Sequence, residues 1–277
     1  MDVVSLAWRT DLALLAARGS EVEHHPTFVV VRTPDAPQRR WGNFLLLRRR
    51  PLTRDLPLVR AAFAHHLPEA RHEAFGLDDP TGDPADLAPF RGAGFTTSSA
   101  VVLVAGPDTP LPRPAAATAL HLRPLLDDAD WEQRVRLSVG SSLRPDPVHL
   151  EYLRARAAEE RAMVDLGGAW FGAFDEECLL GVLGVVPAAP GLARLHGVEV
   201  PRRLRGRTLE QALLHAAAAH VRAGDGSATL VAVADPHHPS VELWRSLGFA
   251  DAGRRLQAER DGLGAQRPSQ ARNAAES

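Results

Sequence analysis

The sequence predicts an α/β (α+β) protein made of two units in tandem, each a mixed, mainly antiparallel sheet flanked by helices. Three observations predict it. A chain of 277 residues exceeds what one small hydrophobic core comfortably serves, so two domains are expected. Helical and strand-like apolar patterns alternate in both halves. Between them, over residues 106–114, four prolines interrupt the pattern and mark a linker with a boundary near Ala116. The expected division is an N-terminal domain over 1–115, a second domain over 116–260 and a disordered tail over 261–277.

The first half opens with a helical run over 3–18, stopped by Gly19 where a left-handed C-cap glycine would sit. Residues 27–32 are apolar and β-branched and read as a strand, as does the apolar run 43–47. Residues 54–66 carry Leu56, Val59, Ala62 and Phe63 at helical spacing. A cluster of Pro, Gly and Asp over 78–86 reads as a loop, and residues 100–105 as a short buried strand.

The second half is sharper. A strand over 119–123 leads to a helix beginning near Asp127 or Asp128, whose carboxylates suit the positive end of a helix dipole. A second helix covers 149–162. Three strands follow, at 169–174, 178–186 and 192–200, separated by an acidic turn and by residues 187–191; they should form an antiparallel meander. Residues 209–221 put Leu209, Ala212, Leu213, Ala216, Ala217 and Val221 on one helical face, with Gly224 just beyond. A continuous apolar strand over 228–234, a short helix over 239–247 and a last strand after Phe249 complete the unit.

Composition excludes more than it selects. The apolar fraction of 45% and charged fraction of 24% are those of a globular protein, and a net charge of −2 gives no counterion-release drive toward nucleic acid. All 32 basic residues are arginine. A single cysteine, Cys178, rules out an intramolecular disulfide and any multi-cysteine metal site, and it is expected to be a packed thiol in its strand. With no apolar span long enough for a bilayer and no signal-like N-terminus, no membrane association is expected, and the expected compartment is the cytoplasm. The pairs His24-His25 and His65-His66 are adjacent rather than spaced i, i+4, so no metal site is expected.

Two local patterns carry chemistry. Residues 198–210, Val-Glu-Val-Pro-Arg-Arg-Leu-Arg-Gly-Arg-Thr-Leu-Glu, run from a strand through an arginine-rich loop into a helix, whose N-terminus offers unpaired N–H groups and a positive dipole to an anion. Arg205 and Arg207 would add charge-assisted contacts. Residues 235–249 end in Leu-Trp-Arg-Ser-Leu-Gly-Phe. With the element order of the second half, these segments resemble the GNAT superfamily of acyl-CoA-dependent N-acyltransferases.

The resemblance implies an acetyl-CoA cosubstrate, an amine acceptor and a cleft between the fourth and fifth strands of the domain. It implies cofactor contacts at Val198, Val200, Arg205, Gly206, Arg207, Thr208, Leu209, His237 and Trp244. Thr208 and Glu210 stand where the family prefers small residues. Trp244 stands where it commonly has a tyrosine acid, and an indole N–H cannot protonate a thiolate. Trp244 also reads as a core or pocket-wall residue. For the base, strict alternation puts Glu199 on the face opposite Val198 and Val200 and His196 on their face; either residue could serve. A noncatalytic GNAT-like binding module is the alternative, and the oligomeric state is left open.

The first half carries a degenerate echo. Aligning Gly94-Phe95 with Gly248-Phe249 sets Phe90 against Trp244 and Arg91 against Arg245, and the strand over 43–47 enters a helix through Arg48-Arg49-Arg50-Pro51. The first half therefore reads as a shortened GNAT-like unit.

Overall fold

The computed structural model describes residues 1–111, 120–140, 146–201, 204, 207–224 and 228–262, the side chain of Arg207 excepted. In chain order the elements are α1 (Leu6–Ala17), β1 (Glu21–His24), β2 (Phe28–Arg32), β3 (Phe44–Leu47), α2 (Leu56–His66), β4 (His72–Leu77), α3 (Ala88–Gly92) and β5 (Thr96–Ala105). Then follow β6 (His121–Pro124), α4 (Asp128–Gly140), α5 (Pro147–Ala162), β7 (Ala169–Asp175), β8 (Cys178–Ala189) and β9 (Leu192–Glu199). Helix α6 (Arg207–Gly224), β10 (Thr229–Ala234), α7 (Ser240–Ser246) and β11 (Ala250–Asp261) complete the order. Among the described residues no helix is long and apolar enough to cross a membrane.

The chain forms two compact units. The first takes Met1–Val3, Arg18–Ser99 and the residues from Leu256; the second takes Val4–Ala17 and Ala100–Arg255. This is not the expected split into consecutive segments, because α1, most of β5 and the end of β11 each belong with the other half. Buried charge explains α1: Asp11 meets Arg194 at 3.1 Å and Arg255 at 2.9 Å, and Arg194 also donates to Thr10 Oγ1 at 2.9 Å. Burial would push the Asp11 carboxyl up, but the two guanidiniums hold it below its ordinary value. The last turn of chain in β11 is fixed in the first unit by Glu259, which accepts from Arg40 at 2.8 Å and from Trp41 Nε1 at 3.0 Å.

The first unit's strands run β1-β2-β3-β4-β11. All neighbours are antiparallel except β3 and β4, which are parallel. Two of these strands, β1 and β4, lack an expected counterpart in the sequence; β4 reads His-Glu-Ala-Phe-Gly-Leu, whose last four residues are all buried. The core gathers Leu45, Phe63, Phe75, Phe90, Phe95 and Leu256.

The second unit's strands run β5-β10-β9-β8-β7-β6, antiparallel except for the parallel pair β9–β10. Helix α6 lies against β7 and β8, burying Leu209, Ala212, Leu213, Ala217 and Val221 as its spacing predicts. On the other face, α4 and α5 cover Trp131, Leu153, Trp170 and Val182. Helix α5 begins at Asp146, whose carboxylate accepts from His149 N at 2.7 Å, with Pro147 in the first turn. Cys178 departs from expectation: it is exposed, at the first position of β8 opposite Asp175, where the hairpin turn leaves it outside the core.

The sequence echo between the units has a structural counterpart. Gly94 and Gly248 both adopt positive φ, +82° and +95°. Phe95 N donates to Phe90 O at 3.0 Å, and Phe249 N donates to Trp244 O at 3.1 Å. The rings of each pair also meet, at 5.4 Å for Phe90 and Phe95 and 5.1 Å for Trp244 and Phe249. Both turns are six-residue helix closures in which a left-handed glycine lets the following aromatic fold back on the helix.

Candidate active site

Strands β9 and β10 pair only at Leu192–Thr229, Ala193–Leu230 and Arg194–Val231. Beyond Val231, β10 continues to Ala234 while β9 continues to Glu199, each keeping its outer neighbour. The two strands therefore splay, leaving facing backbone edges unpaired by one another over residues 195–199 and 232–234. The corresponding parallel pair in the first unit stays joined to its ends: Leu47 registers with Leu77, and Asp78 N still donates to Leu47 O at 2.8 Å. Among the described residues, the sheet opens at this position in the second unit and not in the first.

Within the splayed part of β9 the ladder to β8 slips. Val182 registers with Glu199 and Gly184 with His196, so two steps on β8 face three on β9. Gly197 sits in this bulge with a φ of +49°, a left-handed value that glycine adopts without a Cβ clash. The extra residue changes the side-chain alternation. His196 and Glu199, expected on opposite faces, register with residues of a single face of β8, the face covered by α4 and α5.

On that face Glu199 enters a charged network. Its Oε2 accepts from Arg134 Nη1 at 2.8 Å and from Ser138 Oγ at 2.9 Å. Arg134 also donates to Ser138 Oγ and forks onto Glu160 at 3.0 and 3.1 Å. Arg156 Nε closes the set on Glu160 Oε1 at 3.0 Å. Arg134 is 2% exposed, so two guanidiniums and two carboxylates balance around an interior cation. Bidentate, charge-assisted bonds of this kind fix orientation as well as charge. Glu199 Oε1 accepts no hydrogen bond among the described residues. The Trp170 ring lies 6.0 Å from His196, which is half-buried.

The remaining expected contacts divide. Thr208 is half-buried in the first turn of α6, and Val198 is half-buried against the core. Val200 and Leu209 are buried at 5% and 6%, so their side chains serve the core and only their backbones could meet a ligand. Glu210 is buried as well, inside the helix's first turn rather than on the surface of the loop. Trp244 is a core residue, 4% exposed and packed with Leu247 and Phe249. So enclosed, its side chain presents little surface to a ligand. His237 is exposed, with its backbone N donating to Asp235 Oδ1 at 2.8 Å. Arg205 and Gly206 lie outside the described residues, as does the Arg207 side chain.

Arg134, Ser138, Arg156 and Glu160 were not singled out from sequence. Their one local signal is i, i+4 spacing in two helices, Arg134 with Ser138 and Arg156 with Glu160, which is also the pattern of an exposed helix pair.

A split parallel strand pair followed by a helix N-terminus, with a fixed carboxylate beside the split, places the second unit among the α/β acyltransferase folds. Residues 131–249 match the model of the acetyltransferase (GNAT) family, and these residues are a GNAT-family domain. Solved structures share the fold over nearly the whole chain. A functionally unknown conserved protein from Staphylococcus epidermidis aligns with a TM-score of 0.65 at 11% identity, covering 88% of this chain and 95% of that one. A GCN5-related N-acetyltransferase from Kribbella flavida gives 0.60 at 13% identity, covering 95% and 98%. A tandem GNAT protein from the clavulanic acid biosynthesis pathway gives 0.52 at 18% identity, covering 94% and 96%. No curated protein matches the chain.

Proposed function

We propose that the second unit is an acyl-CoA-dependent N-acyltransferase that moves an acetyl group from acetyl-CoA to an amine, with Glu199 as general base. The observation that carries the reading is the clamped Glu199 carboxylate, held through one oxygen by Arg134 and Ser138 at the splayed end of β9. A base must stay within hydrogen-bond reach of the amine, directly or through one water, and a clamp removes the conformational cost of keeping it there.

The splay supplies the donor's place. Unpaired strand-edge groups of β9 suit the amides of pantetheine, and the N-terminus of α6 suits its pyrophosphate, with Arg205, Gly206, Arg207 and Thr208 as the proposed contacts. In the reaction the amine nitrogen bonds to the thioester carbon while its proton passes to Glu199. A β9 backbone N–H polarises the carbonyl, the carbon–sulfur bond breaks, and the thiolate takes a proton from water. Water suffices because a free thiol titrates near about 8.5. His196 lines the same face as a wall beside Trp170. The first unit, whose strand pair does not open, serves as a noncatalytic partner domain.

The test is thermal melting of the purified protein with and without acetyl-CoA, together with thiol release on a panel of amines. Binding to the native state must raise the melting temperature by mass action. Protein that neither shifts with acetyl-CoA nor releases thiol sinks the transferase reading. A shift without turnover points to the noncatalytic binding module, the reading favoured by the absence of a tyrosine at Trp244. Arg205→Ala should weaken the shift more than Arg91→Ala, because Arg91 donates to Pro84 O and Thr97 Oγ1 within the first unit.

A further inference from the structure

We propose that Glu23, His25 and His66 form a binding site for a divalent d-block cation of the zinc class, at the C-terminal end of α2 in the first unit. Among the described residues this is the one group of metal-ligand side chains that converge, with donor atoms all within 4.8 Å of one another. The two histidines are 41 positions apart in sequence (66 − 25), and the fold brings them together: β1 supplies Glu23, the turn after it supplies His25, and the last residue of α2 is His66. That turn is closed by His25 N donating to Phe28 O at 2.9 Å, and the His25 ring stacks on Phe28 at 4.6 Å. His66 meets both rings edge-on, at 4.8 and 5.6 Å.

The Glu23–His25 contact is informative. His25 Nε2 lies 2.9 Å from Glu23 Oε1, yet this buried nitrogen makes no hydrogen bond. The two atoms are close without pointing at each other. Donors sharing one ion do the same: with bonds of about 2.0–2.2 Å to a tetrahedral cation, neighbouring ligand atoms sit roughly 3.3 Å apart and aim at the ion between them. Two imidazoles and one carboxylate suit zinc or its neighbours and leave a fourth position for water; magnesium prefers oxygen ligands alone. The end of a helix favours positive charge.

The surroundings are permissive. Arg32 donates to His66 O at 3.0 Å and brings a positive charge, but Glu21 neutralises it at 2.7 Å. His24, the adjacent histidine, is instead bonded through Nδ1 to Met1 O at 2.7 Å.

The experiment is competition of the chelator-stripped full-length protein with a chromophoric chelator for ZnCl2, paired with the visible spectrum after CoCl2 addition. The expected result is saturable zinc binding, visible cobalt bands of a four-coordinate site, and no competition from MgCl2. Glu23→Gln, His25→Gln and His66→Gln should each weaken zinc by about tenfold or more, at least what loss of an outer-shell partner costs. His24→Gln should not. Glu23 is exposed, so its variant tests the site without threatening the fold. No saturable zinc binding, or equal affinity in wild type and Glu23→Gln, overturns the proposal. Equal loss in His24→Gln also overturns it, because it shows diffuse histidine binding.

Discussion

Arg134 donates to Glu199 at 2.8 Å across 65 positions of sequence, from a buried helix face to the bulged end of a strand. The same guanidinium forks onto Glu160. Removing it leaves the interior Glu160 to Arg156, whose side chain is 40% exposed, and leaves Glu199 to Ser138, so stability and activity should both report on it.

Arg134→Ala should lose about 3–5 kcal/mol, the cost of breaking a buried ion pair by removing one partner. Arg154→Ala, which breaks an ion pair with Glu132 between half-exposed side chains, should lose no more than about 1 kcal/mol. Urea denaturation of the two variants makes the comparison. Similar midpoints for both would show that the interior network is not formed.

Glu199→Gln keeps the size of the side chain and its ability to accept from Ser138, but not its basicity. Thiol release in the presence of amine should fall by about 100-fold to 10,000-fold, while the acetyl-CoA-dependent melting shift persists. If both readouts are lost together, Glu199 supports the fold or the donor site rather than proton transfer.

Trp244→Tyr would restore the residue type common at that position in the family. Because Trp244 is packed against Phe249, the new hydroxyl would be buried and the pocket underfilled. We expect no gain in thiol release and a loss of about 1–3 kcal/mol. A faster enzyme would show that this side chain reaches the donor sulfur.

Gly197→Ala should cost about 1–2 kcal/mol, since its φ of +49° is left-handed and a Cβ would meet Arg156 Nη2 at 3.1 Å. Turnover should fall further than stability, because the bulge sets the direction of Glu199. Melting curves and thiol-release rates on the same preparation separate the two; an unchanged rate would detach the bulge from the chemistry.

Acid stability should depend on Asp130, in the first turn of α4. Hydrogen bonds from Arg123 at 2.5 and 2.7 Å lower its pKa; burial opposes them, and a backbone N–H from Leu126 adds to them. A depressed folded-state pKa gives stability that is present above the unfolded value, about 3.9, and lost as pH falls through the folded value. Urea midpoints taken from neutral pH down to about pH 3 should fall on the acid side, and Asp130→Asn should flatten that limb while lowering the neutral plateau. An acid limb identical in the variant would assign the loss to other carboxylates.

Apolar patterning located α6 and the strands of the meander β7-β8-β9, and aligning Gly94-Phe95 with Gly248-Phe249 located the paired turns. Each is a local pattern: a 3.6-residue apolar face, a two-residue alternation, or a glycine where φ must be positive. Strand β4 escaped because Gly76 and its charged start weaken a short apolar run, and its strand character comes from pairing with β3 and β11.

Sequence by itself thus determined the class of fold, the tandem echo, and Glu199 and His196 as candidates. Only the tertiary structure decided that α1 joins the second unit through Asp11, that Gly197 turns Glu199 and His196 to one face, and that Arg134 and Glu160 are interior. It also decided that His25 and His66, each beside another histidine in sequence, meet each other and Glu23. The physical reason is shared by all four. The burial and direction of a charged side chain depend on partners supplied by distant segments, and a one-residue bulge reverses an alternation that is otherwise strictly local.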